Sequence, residues 1–416
     1  MVNFLSRSWI SGACASALLL AAGSTLAAVP TAPPSICIDG VCTSSPAVAA
    51  APSGKSIKWH PGTYVWYAPS AVGGVPGHRV DLATQRAQFL TFVNSICSES
   101  SISGVQLFGL WRTFEGDTAG DYSAGFAAVD ALLAKLTACN KRLMVGFQTV
   151  WFGTHRTDLD IFPAYIVNDS RYGVTGLNPG TGRTARTWQA PTMDRLIAMS
   201  QAYGARYNSH PNFEMIGLGE TSLQVTTDGF SSEANLAQTK RMIVAARQHW
   251  PNTAVRIMVN DGFSDAGFID LYNTCKTYYC ALGGPDVWPG DITQADRLFV
   301  GKNTSGQDVH EDLRDKLPWA VDVDWQSFNL VDGHPRWTLR QLYDAPMIGY
   351  TPTNPNGQGS FRMPSMKVKY MIWLVNESNG NQENQWSTAQ LPFLRSVNGA
   401  VYSNTCPTSY PSCNSN

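Results

Sequence analysis

Phe213-Glu-Met-Ile-Gly-Leu-Gly-Glu220 is an apolar run of strand length that closes on a carboxylate. A polar loop follows, and then the helical period of residues 233–250. Working outward in both directions, the same unit recurs: a short apolar run with β-branched or aromatic residues, a polar loop, then a helical pattern. Strands are expected at 64–67, 104–111, 143–150, 213–219, 255–260, 281–287, 319–325 and 370–375. Helices are expected at 84–98, 125–138, 193–207, 233–250, 265–279, 337–343 and 388–397. Such alternation specifies parallel strands joined by crossover helices. Eight strands in this spacing predict a (β/α)₈ barrel, an α/β fold, with enlarged βα loops. The alternative, an open doubly wound sheet, needs a Gly-rich phosphate loop after the first strand. Residues 69–77 are too rich in proline for that. The stretch 288–318 has no clear helix period and is the weakest part of the pattern.

The chain has 416 residues, of which 44% are hydrophobic and only 15% charged, so a sizeable core is expected and disorder is not. The formal net charge is −1 and there is no basic run, which argues against a nucleic-acid partner. Residues 1–28 read as an export signal, with Arg7 in the n-region, an apolar stretch at 15–22 and small residues at 24–28. The apolar stretch is too short to span a membrane. A Pro/Ala/Ser-rich linker is expected at 29–56 and the catalytic domain at 57–416. A secreted or periplasmic monomer, with no membrane insertion, is the expectation. Eight cysteines remain after Cys14, and an oxidising compartment favours disulfides. They allow 105 pairings; the local pairs Cys37/Cys42, Cys275/Cys280 and Cys406/Cys413, with Cys97 joined to Cys139, need the least chain closure.

In a barrel, the groups that do chemistry sit at the C-terminal ends of strands. By simple alternation Ile216, Leu218 and Glu220 share one face, and an apolar strand ending in a carboxylate suits a general acid with a raised pKa. The competing role for Glu220, capping the next helix, falls more naturally to Thr221 or Ser222. In residues 319–326, Asp322, Asp324 and Gln326 alternate onto one face, against Val321, Val323 and Trp325. Acids inside an apolar strand are costly unless paired or catalytic. Asp324, nearer the strand end, is the second catalytic candidate; Asp322 could equally pair with an arginine in the barrel. Further strand ends supply Trp111 and Arg112, Trp151 and His155, Asn260 and Asp261, Asp286 and Trp288, and Trp373 and Glu377 as candidate substrate contacts. Acids, amides and indoles together describe a sugar-binding surface.

These residues resemble the (β/α)₈-barrel glycoside hydrolases, and among them the clan whose acid/base ends strand four and whose nucleophile ends strand seven. The resemblance rests on Glu220, on Arg112 after strand two and on Trp373 in strand eight, at the level of architecture over residues 58–400. It implies hydrolysis of glycosidic bonds in a polysaccharide or oligosaccharide, with Glu220 as acid/base, a second carboxylate as nucleophile and no cofactor. Two positions depart from the clan: Gly219 stands where asparagine is usual, and strand seven offers Asp324 instead of glutamate. Carboxylates about 5–5.5 Å apart retain anomeric configuration, and those about 6.5–9.5 Å apart invert it. Retention through Asp324 is the first expectation, with Asp286 or Glu377 acting beside Glu220 as the runner-up. Long loops at 155–192 and 288–318 suggest a walled cleft suited to a polymer. Two other functions fit the same barrel. One is a carbohydrate-binding protein without catalysis; the other is a metal-dependent deacetylase or hydrolase. The seven histidines show no HxH or HExxH spacing, so no metal is expected. There is no GxSxG for a serine nucleophile, and Asn303-Thr-Ser305 is at most a glycosylation sequon.

Overall fold

The computed structural model describes residues 55–67, 82–153, 157–178, 182–287, 289, 294–303, 305–324, 327, 337–350, 363–375 and 385–415. Of residues 36–38, 41–43, 82–83 and 294–296 it describes the backbone alone. Eight parallel strands form the centre: β1 (Gly62–Trp66), β2 (Gly104–Leu110), β3 (Arg142–Gln148), β4 (Phe213–Glu220), β5 (Ala254–Met258), β6 (Cys280–Gly283), β7 (Ala320–Val323) and β8 (Tyr370–Leu374). Each neighbours the next in sequence, and β8 pairs with β1. Between β6 and β7 the ladder thins to a single parallel bridge, Leu282 to Trp319. The barrel thus closes most weakly where the sequence pattern was faintest. The eight strands expected from the sequence are all present.

Each strand leads into a helix packed outside the barrel: α1 (Leu82–Ile96), α2 (Ser123–Ala138), α3 (Ala190–Tyr207), α4 (Ser232–His249), α5 (Asp265–Tyr278), α6 (Gln294–Phe299), α7 (Leu339–Ile348) and α8 (Leu391–Ser396). Side chains of Ser231, Ser264 and Thr338 accept backbone N–H bonds that would otherwise be orphaned at the starts of α4, α5 and α7. The six residues of α6 explain why 288–318 shows no helical period. None of the described helices is long and apolar enough to cross a membrane.

The barrel interior is layered. Tyr64, Met144, Met215, Ala254, Ala281, Ala320 and Tyr370 fill the floor. Above them lies a polar layer: Arg256 from β5 donates to Gln106 at 3.3 Å and to Asp322 at 3.2 Å, and its second nitrogen lies 3.1 Å from the other Asp322 oxygen. Asp322 is therefore the arginine-paired acid within the barrel. The floor is sealed by Glu214, fully buried, which accepts from the His60 backbone and from Tyr370, both at 2.8 Å.

Two of the expected disulfides are present, Cys97–Cys139 and Cys406–Cys413. Cys275 and Cys280 correct the third: both are buried free thiols, hydrogen-bonded to one another at the junction of α5 and β6. Backbone pairing sets Cys37 opposite Cys42 in an antiparallel hairpin, but their side chains lie outside the description. So do the expected leader and most of the linker.

Candidate active site

Glu220 reaches the barrel mouth by an irregularity, not by the alternation the sequence suggests. Ile216 and Leu218 pack outward in the helix-facing core, while Met215 and Gly217 continue the inner face. Strict alternation would then turn Glu220 outward. The register instead shifts between Leu218 and Glu220, where Gly219 is the extra residue of a bulge. Glu220 consequently pairs with Met258 and shares its inward direction. A glycine suits the place, because a Cβ at Gly219 would lie 3.2 Å from the Phe147 carbonyl oxygen.

Two amides hold the carboxyl group. Gln148, at the end of β3, donates Nε2 to Glu220 Oε1 at 2.6 Å, and Asn260 donates Nδ2 to Oε2 at 2.9 Å. Asn260 is itself fixed, its Oδ1 accepting from the Ser222 backbone at 2.7 Å and from Thr221 Oγ1 at 3.1 Å. Burial pushes the Glu220 carboxyl up to about 7, helped by the charges of Asp324 and Asp322 and opposed by the two amide donors.

Asp324 lines the same cavity from the end of β7. Its carboxyl is hydrogen-bonded to that of Asp286, which follows β6. Two carboxyls bonded in this way share one proton and titrate as a unit. Burial pushes Asp286 up to about 6, with the charges of Glu220 and Asp322 adding to it; the bond from Asp324 works the other way. Asp322, below them, is likewise raised to about 6 by burial, against its pairing with Arg256. Four acids thus converge at the C-terminal end of the barrel. Among the described residues, no group of three or more His, Cys, Asp or Glu side chains is placed to hold a metal ion.

The cavity over these acids measures about 510 Å³. Trp66, Phe108, Trp151 and Phe152 give it aromatic walls. Of these only Trp151 was picked out by sequence.

Several sequence candidates lie elsewhere. Trp111 is fully buried and donates its indole N–H to Glu115 at 2.8 Å, within a cluster that also holds Tyr165 and Arg195. It is a core residue, not a substrate contact. Arg112 pairs with Asp117 at 2.8 Å and donates to the Leu159 carbonyl, and it does not line the cavity. Trp373 is fully buried on the outer face of β8, its ring 5.9 Å from that of Phe393 in α8, and so cannot serve as a sugar platform. Asp261 is exposed and lines no part of the cavity; its carbonyl accepts from Thr221. His155, Trp288, Gln326 and Glu377 lie outside the described residues. Gln148 was missed because it ends an apolar run, and its partner is 72 residues away.

No protein-family model matches the chain, and no curated protein does either. Solved structures do resemble it. The catalytic domain of beta-amylase from Paenibacillus polymyxa superposes with a TM-score of 0.50 at 9% identity, covering 82% of this chain and 98% of that one. A GH5_18 structure from Streptomyces cattleya in complex with GlcNAc gives 0.47 at 14% identity, covering 83% and 80%. An exo-beta-1,4-mannosidase from Opitutaceae bacterium strain TAV5 gives 0.47 at 12% identity, covering 84% and 62%. The likeness is one of fold: the chain is an α/β barrel.

Proposed function

We propose that the protein is a glycoside hydrolase in which Glu220 protonates the glycosidic oxygen. The observation that carries this reading is an inward carboxyl group, lifted to about 7 and held by two amides, in one cavity with a second acid. A carboxylic acid protonated near neutrality can give its proton to a leaving group that water could not protonate. Asp324 is the partner. As the glycosidic bond breaks, an Asp324 oxygen attacks the anomeric carbon and forms a glycosyl–enzyme ester. Glu220, now ionised, takes a proton from water, whose oxygen releases the sugar with its configuration retained. An extracellular or periplasmic location agrees with the two disulfides.

One observation favours a second assignment. Asp286 is hydrogen-bonded to Asp324 in the same buried pair, so it can act in place of Asp324, as base for an incoming water, and the reaction would then be inverting. Glu220→Gln is expected to lower hydrolysis at least 1000-fold on any accepted substrate from a polysaccharide and oligosaccharide panel, with the circular dichroism spectrum unchanged. Proton NMR of the first product anomer separates the two partners. Near-normal turnover by the Gln variant would remove Glu220 from the mechanism.

A further inference from the structure

The cavity does not stop at the acids. β1 pairs with β2 only as far as Gln106, while β2 runs on to Leu110. Past the end of β1 the cavity reaches the outer side of β2, beneath α1 and α2. Phe89 and Leu90 of α1, Leu107 of β2 and Leu132 of α2 line it there, and Phe108 and Leu110, from the inward face of β2, border the passage from the acids. Leu90, Leu107 and Leu110 are only half-buried, although each packs against the core, and Phe108 is half-buried with its ring 5.1 Å from that of Trp66. A single exposed leucine is ordinary. Apolar side chains from three elements, bordering the same space as a proton-donating carboxyl, form a binding surface.

Among the described residues, the polar members between α1 and β2 are Gln85, Arg86 and Thr113. Arg86 is engaged, donating to the Thr113 carbonyl at 3.4 Å. A second pyranose placed here would leave most of its hydroxyls without partners. An alkyl chain would instead cover the leucines and lose only its contact with water. The compartment therefore does not suit the polymer expected from loop length.

We propose that the compartment between α1, α2 and β2 binds an apolar aglycone, so that the substrates are glycosides of alkyl groups. The sugar then lies against Glu220, Gln148 and Asp324. This inference rests on the hydrolase reading for its sugar half; the apolar half can be tested alone.

Hexyl and methyl glycosides of glucose, mannose and galactose, in both anomers, are titrated calorimetrically into the Glu220→Gln protein below micellar concentrations. The same set is offered to the wild type for hydrolysis. At least tenfold tighter binding of a hexyl glycoside than of its methyl counterpart is expected. Leu132→Trp, which fills the compartment, should abolish the difference. Leu90→Gln, on a half-buried position, should reduce it even if the tryptophan variant does not fold. Equal binding of the two, or none of either, overturns the compartment. Hexyl preference without wild-type hydrolysis of any member overturns the hydrolase reading and leaves the compartment standing. Hydrolysis without chain-length preference does the reverse.

Discussion

Glu220 feels one environment in two ways. Its carboxyl is lifted to about 7, so it is a competent acid below that pH and an ineffective one above. Turnover is expected to fall tenfold per unit as pH rises past about 7, read from kcat/KM. Stability follows with a definite sign. The folded value lies above the ordinary 4.5, so the folded state binds this proton more tightly than the unfolded chain does. That stabilisation is complete below about 4.5 and is lost as pH rises through about 7. Glu220→Gln should therefore be more stable than wild type at pH 8, by roughly 1–3 kcal/mol, and melt higher there, with no gain at pH 4. Scanning calorimetry decides; a lower Tm at pH 8 would show that the site accommodates the anion without cost. Glu220 and Asp324 were legible because acids at the ends of apolar strands stand out. Gln148 and the aromatic Phe108 were not, since an amide or a ring within an apolar run looks like core. Trp111 misled for the opposite reason. It follows a strand, but Glu115, one helical turn on, captures its N–H inside the protein.

At the scale of the element, the bulge at Gly219 decides where the acid points. Counting by twos along 213–220 put Glu220 on the face of Ile216 and Leu218, and the structure has those two facing the helices. Counting by twos therefore misplaced the face. A glycine inside a strand is itself the signal of a bulge, and it stood next to the acid in plain view. Deleting Gly219 takes out the extra residue and sets Glu220 directly after outward-facing Leu218, where plain alternation still turns it inward opposite Met258. Turnover, read from kcat/KM, is expected to survive the deletion. Its loss, with the near-ultraviolet circular dichroism unchanged, would show that the direction of Glu220 does not follow the ladder position. The period was a better guide on β7, which has no irregularity in its pairing with β8: Asp322 and Asp324 point inward as counted.

At the scale of the molecule, eight strands and seven of the eight outer helices could be read from the chain, because each buries a face with its own period. The exception, α6, is too short to show one. Cysteine pairing was legible only where the pairs bridge exposed ends. Cys97 and Cys139 join the ends of α1 and α2 across a separation of 42 residues. Closing a loop of that length removes about 4 kcal/mol of unfolded-chain entropy. The double variant Cys97→Ala/Cys139→Ala should accordingly lower Tm by several degrees without altering kcat; an unchanged Tm would mean that the unfolded chain is not restrained there. The base of the barrel has a different consequence. Ile57–Lys58, just before β1, runs beside Cys413–Asn414, so both stretches leave from the side opposite the acids. A resin or wall fragment coupled near Ser415 would grip the molecule by its underside. The mouth of the cavity would then look outward, free to meet molecules that are themselves anchored or dispersed in a film.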